Sequence, residues 1–233
     1  MRLGIIGGMG PMASVYFTEL ITMMTDARKD QDHIETFVLS RPSIPDRTAF
    51  ALGRSDEDPV PMILESLQML DNLGADVVAI PCVTAHCFQK RLEGQSRARI
   101  LDAVDITCGE LSRLGVTKTG ILATEGTIRC EIFDKALIAR GIEPIVPDDA
   151  TEKLIMSVIY DDIKQGLAPS KEKTDSIVSF FREAGAQKLI LGCTELSLLR
   201  KSGIKLEDTV DVLEVLAKES IKACGYKVRE DYL

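Results

Sequence analysis

The sequence predicts an α/β protein with two similar lobes, each built on a parallel sheet with helices packed against it. Three observations support this fold class. Short apolar runs are typical of buried parallel strands, apolar residues recur at helical spacing between those runs, and some segments occur twice along the chain. With 233 residues, 45% of them hydrophobic, the chain is long enough to bury a large core.

Four short, continuous apolar runs are expected to form strands, at residues 3–6, 77–80, 118–122 and 188–191. A further strand is expected near 34–39. The four runs are bounded by Gly, Pro or charged residues, as is usual where a buried strand meets a loop.

The clearest predicted helix spans Val60 to Leu73. Its apolar residues recur every three or four positions, which places them on one face of a helix. Gly74 follows directly and is expected to end it. A second apolar helical pattern, at 209–224, is expected to pack back against the first lobe.

Two pairs of segments repeat along the chain. "LGIIGGMGP" at 3–11 matches "TGILATEGT" at 119–127, with equivalent glycines 116 residues apart. "GADVVAIPCVTAH" at 74–86 matches "GAQKLILGCTELS" at 185–197, with equivalent cysteines 111 residues apart. Because the two offsets nearly agree, we expect two pseudo-symmetric, Rossmann-like lobes.

The repeat divides the chain into an N-terminal lobe and a C-terminal lobe. The first comprises residues 1–107 plus 209–233 and carries Cys82, and the second comprises 108–208 and carries Cys193. In open parallel sheets the ligand crevice lies at the carboxyl ends of the strands, where both cysteines fall. We therefore expect the active site in the cleft between the lobes, with one thiol from each.

A helix is expected to begin just after each cysteine, with Thr84 and Thr194 as the N-capping residues. Since the N-terminus of a helix stabilises negative charge, it should lower the pKa of the neighbouring thiol.

Two opposed thiols suit the inversion of a stereocentre that carries an acidic hydrogen. Such a reaction needs a base on one face of the carbon and an acid on the other, and the two roles exchange in the reverse direction. No cofactor is required. The competing interpretation is that Cys82 and Cys193 are small buried hydrophobes, as most free cysteines are. Because their whole setting is repeated, we favour the catalytic interpretation for these two, but not for Cys87, Cys108, Cys130 and Cys224.

Composition indicates a small-molecule substrate. Against 28 basic residues there are 36 acidic ones, and a net charge of -8 disfavours nucleic acid or an anionic membrane surface as the main partner. No apolar run approaches the roughly 18 residues of a spanning helix, and the N-terminus resembles a strand rather than a signal peptide. Six cysteines without a C-x-x-C pair favour reduced thiols, so we expect a cytoplasmic protein.

Five motifs, "GGMGP", "IPDRTAFALG", "PCVTAH", "ATEGT" and "GCTE", occur in an order and spacing that resemble the aspartate/glutamate racemase family, closest to aspartate racemases. The likeness covers nearly the whole chain. It implies an amino-acid racemase that is independent of pyridoxal phosphate, has two pseudo-symmetric lobes and is usually dimeric. It also implies that Cys82 and Cys193 are the catalytic acid and base.

The resemblance further implies that Arg47 binds the substrate's side-chain carboxylate and that Lys164 supplies a second cation. Without the resemblance, the Pro-rich segment 41–59 is either a functional loop or a solvated one, and Lys164 an exposed helix lysine. Backbone N–H groups and hydroxyls near the strand ends are expected to hold the α-carboxylate, at Met9, Thr84, Thr127 and Thr194.

The chain departs from the family pattern at Val83, where the family usually has an asparagine that offers its amide to the substrate. Three explanations stay open: another group replaces the amide, the substrate differs, or most activity has been lost. We favour the first, because both cysteines and both predicted cations remain.

Other functions and sites are also compatible with parts of the sequence. "GMGPMA" at 8–13 satisfies a dinucleotide-binding pattern, although the second strand offers no acidic residue for a ribose. A two-lobed binding protein without activity, or a hydantoin racemase or maleate isomerase from the wider superfamily, would also fit. His86 lies near Cys82 and Cys87 along the chain, which is compatible with a metal site. A hydrogen-bonded helix histidine is the preferred interpretation.

Overall fold

The computed structural model describes residues 1–232 and contains two four-stranded parallel sheets. The first sheet has the order β2-β1-β3-β4. Its strands are β1 (Leu3–Gly7), β2 (Thr36–Ser40), β3 (Val77–Ala79) and β4 (Arg99–Ile100). The second sheet has the equivalent order β6-β5-β7-β8. Its strands are β5 (Lys118–Leu122), β6 (Glu143–Ile145), β7 (Lys188–Leu191) and β8 (Thr209–Asp211).

The same strand order in both sheets confirms the two-lobed α/β fold predicted from the repeat. In each sheet the first strand along the chain pairs with the third, and the registers are Leu3 with Val77 and Thr119 with Lys188. The four apolar runs and the expected strand near 34–39 all overlap observed strands. The carboxyl ends of β1 and β3 therefore correspond to those of β5 and β7.

Ten α-helices lie between or after the strands within residues 1–232. They are α1 (Pro11–Met24), α2 (Arg47–Ala51), α3 (Val60–Leu73), α4 (Gln89–Leu92), α5 (Ala103–Arg113), α6 (Glu125–Arg129), α7 (Asp134–Ile138), α8 (Asp149–Ser157), α9 (Lys171–Glu183) and α10 (Val212–Ala223). The predicted helix from Val60 to Leu73 is confirmed, and Gly74 ends it with φ of 80°, a left-handed conformation that favours glycine. None of the helices in this part of the chain is long and apolar enough to cross a membrane.

The predicted helix at 209–224 is wrong in its first three residues. Thr209–Asp211 forms β8, which pairs with β7, because β-branched Thr209 and Val210 suit a buried strand. Asp211 then caps α10 by accepting a hydrogen bond from the backbone N–H of Leu213. α10 packs on α1 and α5. The assignment of 209–233 to the first lobe stays a prediction.

The central hydrophobic cluster joins the two lobes. It contains residues of β1 and β3 from the first sheet and of β5 and β7 from the second, and the buried faces of α1, α5 and α10 complete it. Separate clusters cover the other faces, with α3 against the first sheet and α8 and α9 against the second. The shared core fixes the relative position of the four strand ends that form the site.

Candidate active site

A small cavity lies where the carboxyl ends of the two sheets meet. Met9 and Thr124 come from the segments after β1 and β5, and Cys82 and Cys193 from those after β3 and β7. The pseudo-symmetric strand ends thus contribute one cysteine each to a single cavity. Its other lining residues are Asp46, Arg47, Thr48, Val83, Thr84, Tyr160, Lys164, Gly192, Thr194 and Glu195.

The Cys82 thiol is buried beside a cation. Cys82 is the N-capping residue of a 3₁₀ helix, Val83–Phe88, rather than of an α-helix. Burial raises the pKa of this thiol, whereas the charge of Arg47 and a backbone N–H of Ala85 act in the opposite direction. The positive charge of Arg47 therefore favours the thiolate of Cys82.

The Cys193 thiol is buried beside an anion. Its Sγ donates a hydrogen bond to Oε2 of Glu195 over 3.0 Å. Burial raises the pKa of Cys193 well above its ordinary value, and the Glu195 carboxylate raises it further, while Lys164 opposes both. The expectation that a helix N-terminus lowers the pKa of each thiol is therefore wrong, because removal from water outweighs the effect of the short 3₁₀ helices that follow.

Backbone carbonyl groups bind one nitrogen of the Arg47 guanidinium, and another nitrogen has no hydrogen-bond partner in the described part of the chain. Its Nη1 donates to the carbonyl oxygens of Ile44 at 3.1 Å and Pro45 at 2.9 Å, while Asp46 caps α2 through the N–H of Ala49. Nε is buried and has no acceptor among residues 1–232. A carboxylate in the cavity would satisfy this donor. The segment 41–59 is thus not merely a solvated loop.

Lys164 is an exposed residue of a short helix, as expected from the residues alone, but its side chain also lines the cavity. It lies in a 3₁₀ helix, Ile163–Gln165, and its Nζ donates to Oε1 of Glu195 over 2.5 Å. Its pKa is raised: burial acts against the charged form, but the charge and hydrogen bond of Glu195 outweigh burial. Lys164 Nζ also lies 5.4 Å from the centre of the Tyr160 ring. Lys164 and Arg47 are two cations on one small cavity.

Three threonine hydroxyls form a buried triangle next to the first cysteine. The Oγ1 atoms of Thr84, Thr124 and Thr127 lie 3.1 Å from one another. The prediction that Thr84 is an N-capping residue is wrong, because Cys82 holds that position and Thr84 lies within the first turn. Thr194 is not an N-capping residue either, since its hydroxyl donates to the carbonyl oxygen of Pro81 at 3.3 Å.

All predicted site residues except one line the cavity. Those that do are Met9, Arg47, Cys82, Val83, Thr84, Lys164, Cys193 and Thr194. Thr127 is not a lining residue but supports Thr84 and Thr124 from behind. Sequence reasoning missed Asp46, Thr48, Thr124, Tyr160, Gly192 and Glu195. Thr124 and Glu195 stand inside the motifs "ATEGT" and "GCTE" and could have been found there, whereas Tyr160, in a π-helical turn at Val158–Asp162, has no local signal.

His86 is buried in the 3₁₀ helix after Cys82, and neither ring nitrogen is hydrogen bonded to a residue within 1–232. The expectation of a hydrogen-bonded histidine is therefore wrong. Its Nδ1 lies 4.0 Å from Oδ1 of Asp102, too far for a hydrogen bond. In the described part of the chain, no group of three or more His, Cys, Asp or Glu side chains could hold a metal ion.

One protein family matches nearly the whole chain. Residues 6–218 match the model of Asp/Glu/hydantoin racemases. The chain belongs to this family. It is an amino-acid racemase, as the relatives below also indicate.

Solved structures of racemases share the fold of this family member. The aspartate racemase of Picrophilus torridus superposes with a TM-score of 0.84 at 30% identity, covering 100% of this chain and 98% of that one. An aspartate racemase homologue from Pyrococcus horikoshii gives a TM-score of 0.78 at 24% identity, covering 96% and 99%. In sequence, the broad specificity amino-acid racemase RacX of Bacillus subtilis is 28% identical over 165 residues, which are 67% of this chain and 70% of RacX.

Proposed function

We propose that this racemase interconverts L-aspartate and D-aspartate without a cofactor, with glutamate as the second candidate substrate. The observation that carries the proposal is the placement of Cys82 and Cys193, from two different sheets, on one cavity that also contains Arg47 and Lys164. Two thiols supply the acid and the base, and two cations match a substrate with two carboxylates.

In the proposed mechanism, the thiolate of one cysteine removes the α-hydrogen as a proton. The bonding electrons stay on the α-carbon and spread onto the α-carboxylate. The thiol of the other cysteine then donates its proton to the opposite face, and the configuration is inverted. Because the roles exchange for the reverse reaction, one thiol must be ionised and the other protonated at the start of each turnover.

The cations bind and orient the substrate in this scheme. The buried Nε of Arg47 has no acceptor among the described residues, and a substrate carboxylate would supply one. Lys164 Nζ donates a hydrogen bond to Glu195, so a substrate carboxylate would compete with Glu195 for it. Hydroxyls of Thr84 and Thr194 and the backbone near Met9 lie on the same cavity and are proposed to hold the α-carboxylate.

The test is incubation of purified protein with L-aspartate in D₂O, while optical rotation and loss of the α-hydrogen signal are followed together. Racemisation with α-hydrogen exchange is expected. A parallel series with D-aspartate, both glutamate enantiomers, neutral amino acids and a hydantoin separates the alternatives. No change with either acidic amino acid would sink the substrate assignment, and activity only on neutral amino acids or on the hydantoin would replace it.

Three further expectations from the sequence remain proposals. The dimer implied by the family resemblance is tested by sedimentation of the purified protein, for which a monomer mass would contradict it. The cytoplasmic location is tested by fractionation of the source cells. The lobe boundaries are tested by whether limited proteolysis cuts near residues 107 and 208.

A further inference from the structure

Glu195 is the one carboxylate that touches a cysteine of the cavity among the hydrogen bonds of residues 1–232. Its Oε2 accepts from Cys193 Sγ at 3.0 Å and its Oε1 accepts from Lys164 Nζ at 2.5 Å. Its side chain is only 8% exposed. A Cβ atom at Gly10 would lie 2.5 Å from Oε1, so Gly10 leaves the space that this carboxylate occupies. A buried carboxylate is costly unless it is paired, and here both oxygens have partners.

The pseudo-symmetry of the site is broken at this position. The residue two places after Cys82 is Thr84, and the residue two places after Cys193 is Glu195. Thr84 is neutral, and its hydroxyl bonds to other threonines rather than to a thiol. The charge of Arg47, by contrast, lowers the pKa of Cys82. The main charge acting on Cys82 is therefore a cation, whereas Cys193 donates a hydrogen bond to an anion.

The charged and titratable groups around the two thiols come from several elements, and they are Asp46, Arg47, Cys82, Tyr160, Lys164, Cys193 and Glu195. Of these, Glu195 accepts the Cys193 hydrogen bond, and Lys164 is the cation that acts on the same thiol. Tyr160 is uncharged at neutral pH, since burial raises its pKa further above 10.0. Glu195 and Lys164 thus control the charge beside Cys193.

We propose that Glu195 is a positioning residue that keeps Cys193 protonated in the resting enzyme, so that Cys193 starts as the acid and Cys82 as the base. In one turnover Cys82 takes up the α-proton as the C–H bond breaks, and Cys193 gives its own proton to the opposite face of the α-carbon. The enzyme is then left with Cys82 protonated and Cys193 ionised, which is the state that the other enantiomer needs. The inference rests on the proposed two-thiol racemisation, and it assigns the starting proton to one cysteine.

Substrate binding would strengthen this preference. Lys164 donates a hydrogen bond to Glu195, and its charge opposes the effect of Glu195 on the pKa of Cys193. A substrate carboxylate that draws Lys164 away leaves the charge of Glu195 less compensated, so Cys193 holds its proton more tightly. The enantiomer whose α-hydrogen faces Cys82 reacts with the resting enzyme directly, whereas the other reacts with the form that this turnover leaves.

The decisive experiment measures thiol ionisation without relying on activity. Wild type is treated briefly with iodoacetamide from pH 6 to pH 11, and the labelled peptides of Cys82 and Cys193 are quantified by mass spectrometry. We expect Cys193 to react at higher pH than Cys82. In Glu195→Gln, the Cys193 curve should move down by at least about one pH unit, because the neighbouring negative charge is gone. Cys82 should move less.

Two variants serve as controls. Glu195→Asp keeps the charge and should stay closer to wild type than Glu195→Gln. Glu110→Gln removes a carboxylate that pairs with Arg113 on α5, outside the cavity, and should leave both curves unchanged. If Cys193 in wild type ionises at the same pH as Cys82 or below it, the inference is overturned even if no Glu195 variant folds.

Kinetics give the second readout. The enantiomers have equal free energy, so kcat/KM must stay equal in the two directions. Its pH profile is free to change. We expect Glu195→Gln to lower kcat/KM at least tenfold and to shift the alkaline limb, which reports loss of the acid, to lower pH. A fall in kcat/KM with both limbs fixed would mean a packing role and overturn the inference. A shifted Cys193 labelling curve in a protein without racemase activity would refute the proposed function instead.

Discussion

Cys82 and Cys193 lie at equivalent strand ends, but only Cys193 donates a hydrogen bond to a carboxylate. Burial raises the pKa of both thiols, so the short helix after each cysteine does not by itself hold a thiolate. The charges of Arg47 beside Cys82 and of Glu195 beside Cys193 then decide which thiol ionises first.

The first prediction concerns these thiols. Cys82→Ala and Cys193→Ala should each lower racemisation at least about a hundredfold, because each removes the acid or the base on one face. Each variant should still exchange the α-hydrogen of one enantiomer, if water supplies the missing proton. Polarimetry and proton NMR in D₂O measure the two effects separately.

The matched control is Cys108→Ala, which changes a buried cysteine of α5 that lies outside the cavity. It should leave the turnover close to that of wild type. Substantial racemisation in either Cys82→Ala or Cys193→Ala would contradict the two-thiol scheme.

The second prediction concerns Val83, which lines the cavity and also belongs to the central hydrophobic cluster. Val83→Asn would restore the amide that the family usually has. We expect kcat/KM on aspartate to rise about tenfold or less, as one neutral hydrogen bond contributes up to about 1.5 kcal/mol. The thermal midpoint should fall, because a polar side chain replaces a buried apolar one.

Val83→Ala is the control, since it enlarges the cavity without adding a hydrogen-bonding group. An equal rise in both variants would assign the effect to space and not to the amide. If Val83→Asn is active on acidic amino acids and the natural protein is not, the natural protein is a disabled or repurposed racemase.

Among the elements, those repeated in the sequence could be predicted best. The duplicated segments placed β1, β3, β5 and β7 correctly, and with them the two cysteines, because strand ends in parallel sheets meet at one edge. The short 3₁₀ helices after the cysteines could not be predicted, since Thr84 and Thr194 resemble capping residues but bond elsewhere. The sequence contains both partners of the Cys193–Glu195 contact, but the backbone path that joins them is visible only in the structure.

The third prediction concerns Asp211, which caps α10 at the end of β8. Its Oδ1 accepts hydrogen bonds from the N–H of Leu213 and the hydroxyl of Ser197, whereas its buried Oδ2 has no partner within residues 1–232. Burial raises the pKa of Asp211 from 3.8 to about 6. The folded state therefore binds this proton more tightly than the unfolded state, and the stability gained from it is present below pH 4 and lost as the pH rises through 6.

In Asp211→Asn, the hydrogen bonds to Oδ1 persist and this titration is removed. Between pH 4 and pH 7.5 the wild type should lose about 3 kcal/mol of unfolding free energy that the variant keeps. This value follows from a pKa that lies about two units above the ordinary one. Urea unfolding at several pH values measures it. A constant difference across this range would contradict the burial of a charge at this cap.

At the scale of the whole molecule, the two lobes share a core on one side of the cavity and meet at its rim on the other. Thr48 of α2 packs against Gly126 of α6 so closely that a Cβ at Gly126 would lie 2.9 Å from the threonine hydroxyl oxygen. Beside this contact, Arg54 donates to both carboxylate oxygens of Glu125, each at 2.7 Å. We interpret this pair as a link that holds the lobes together at the cavity.

The last prediction tests that link by reversing its charges. Arg54→Glu places two carboxylates against each other and should raise KM about two- to fivefold with a smaller effect on kcat. The reason is that it weakens the contact between the lobes at the cavity and leaves the thiols unchanged. Arg54→Glu with Glu125→Arg should recover most of the loss. Added salt should reduce the difference between the single variant and wild type, since exposed charges are screened.

Arg113→Glu is the matched control, because its partner Glu110 lies on the same helix and no lobe contact is changed. If Arg113→Glu raises KM equally, or the double variant recovers nothing, the Arg54–Glu125 pair does not hold the cleft and the shared core alone sets the distance between the two thiols.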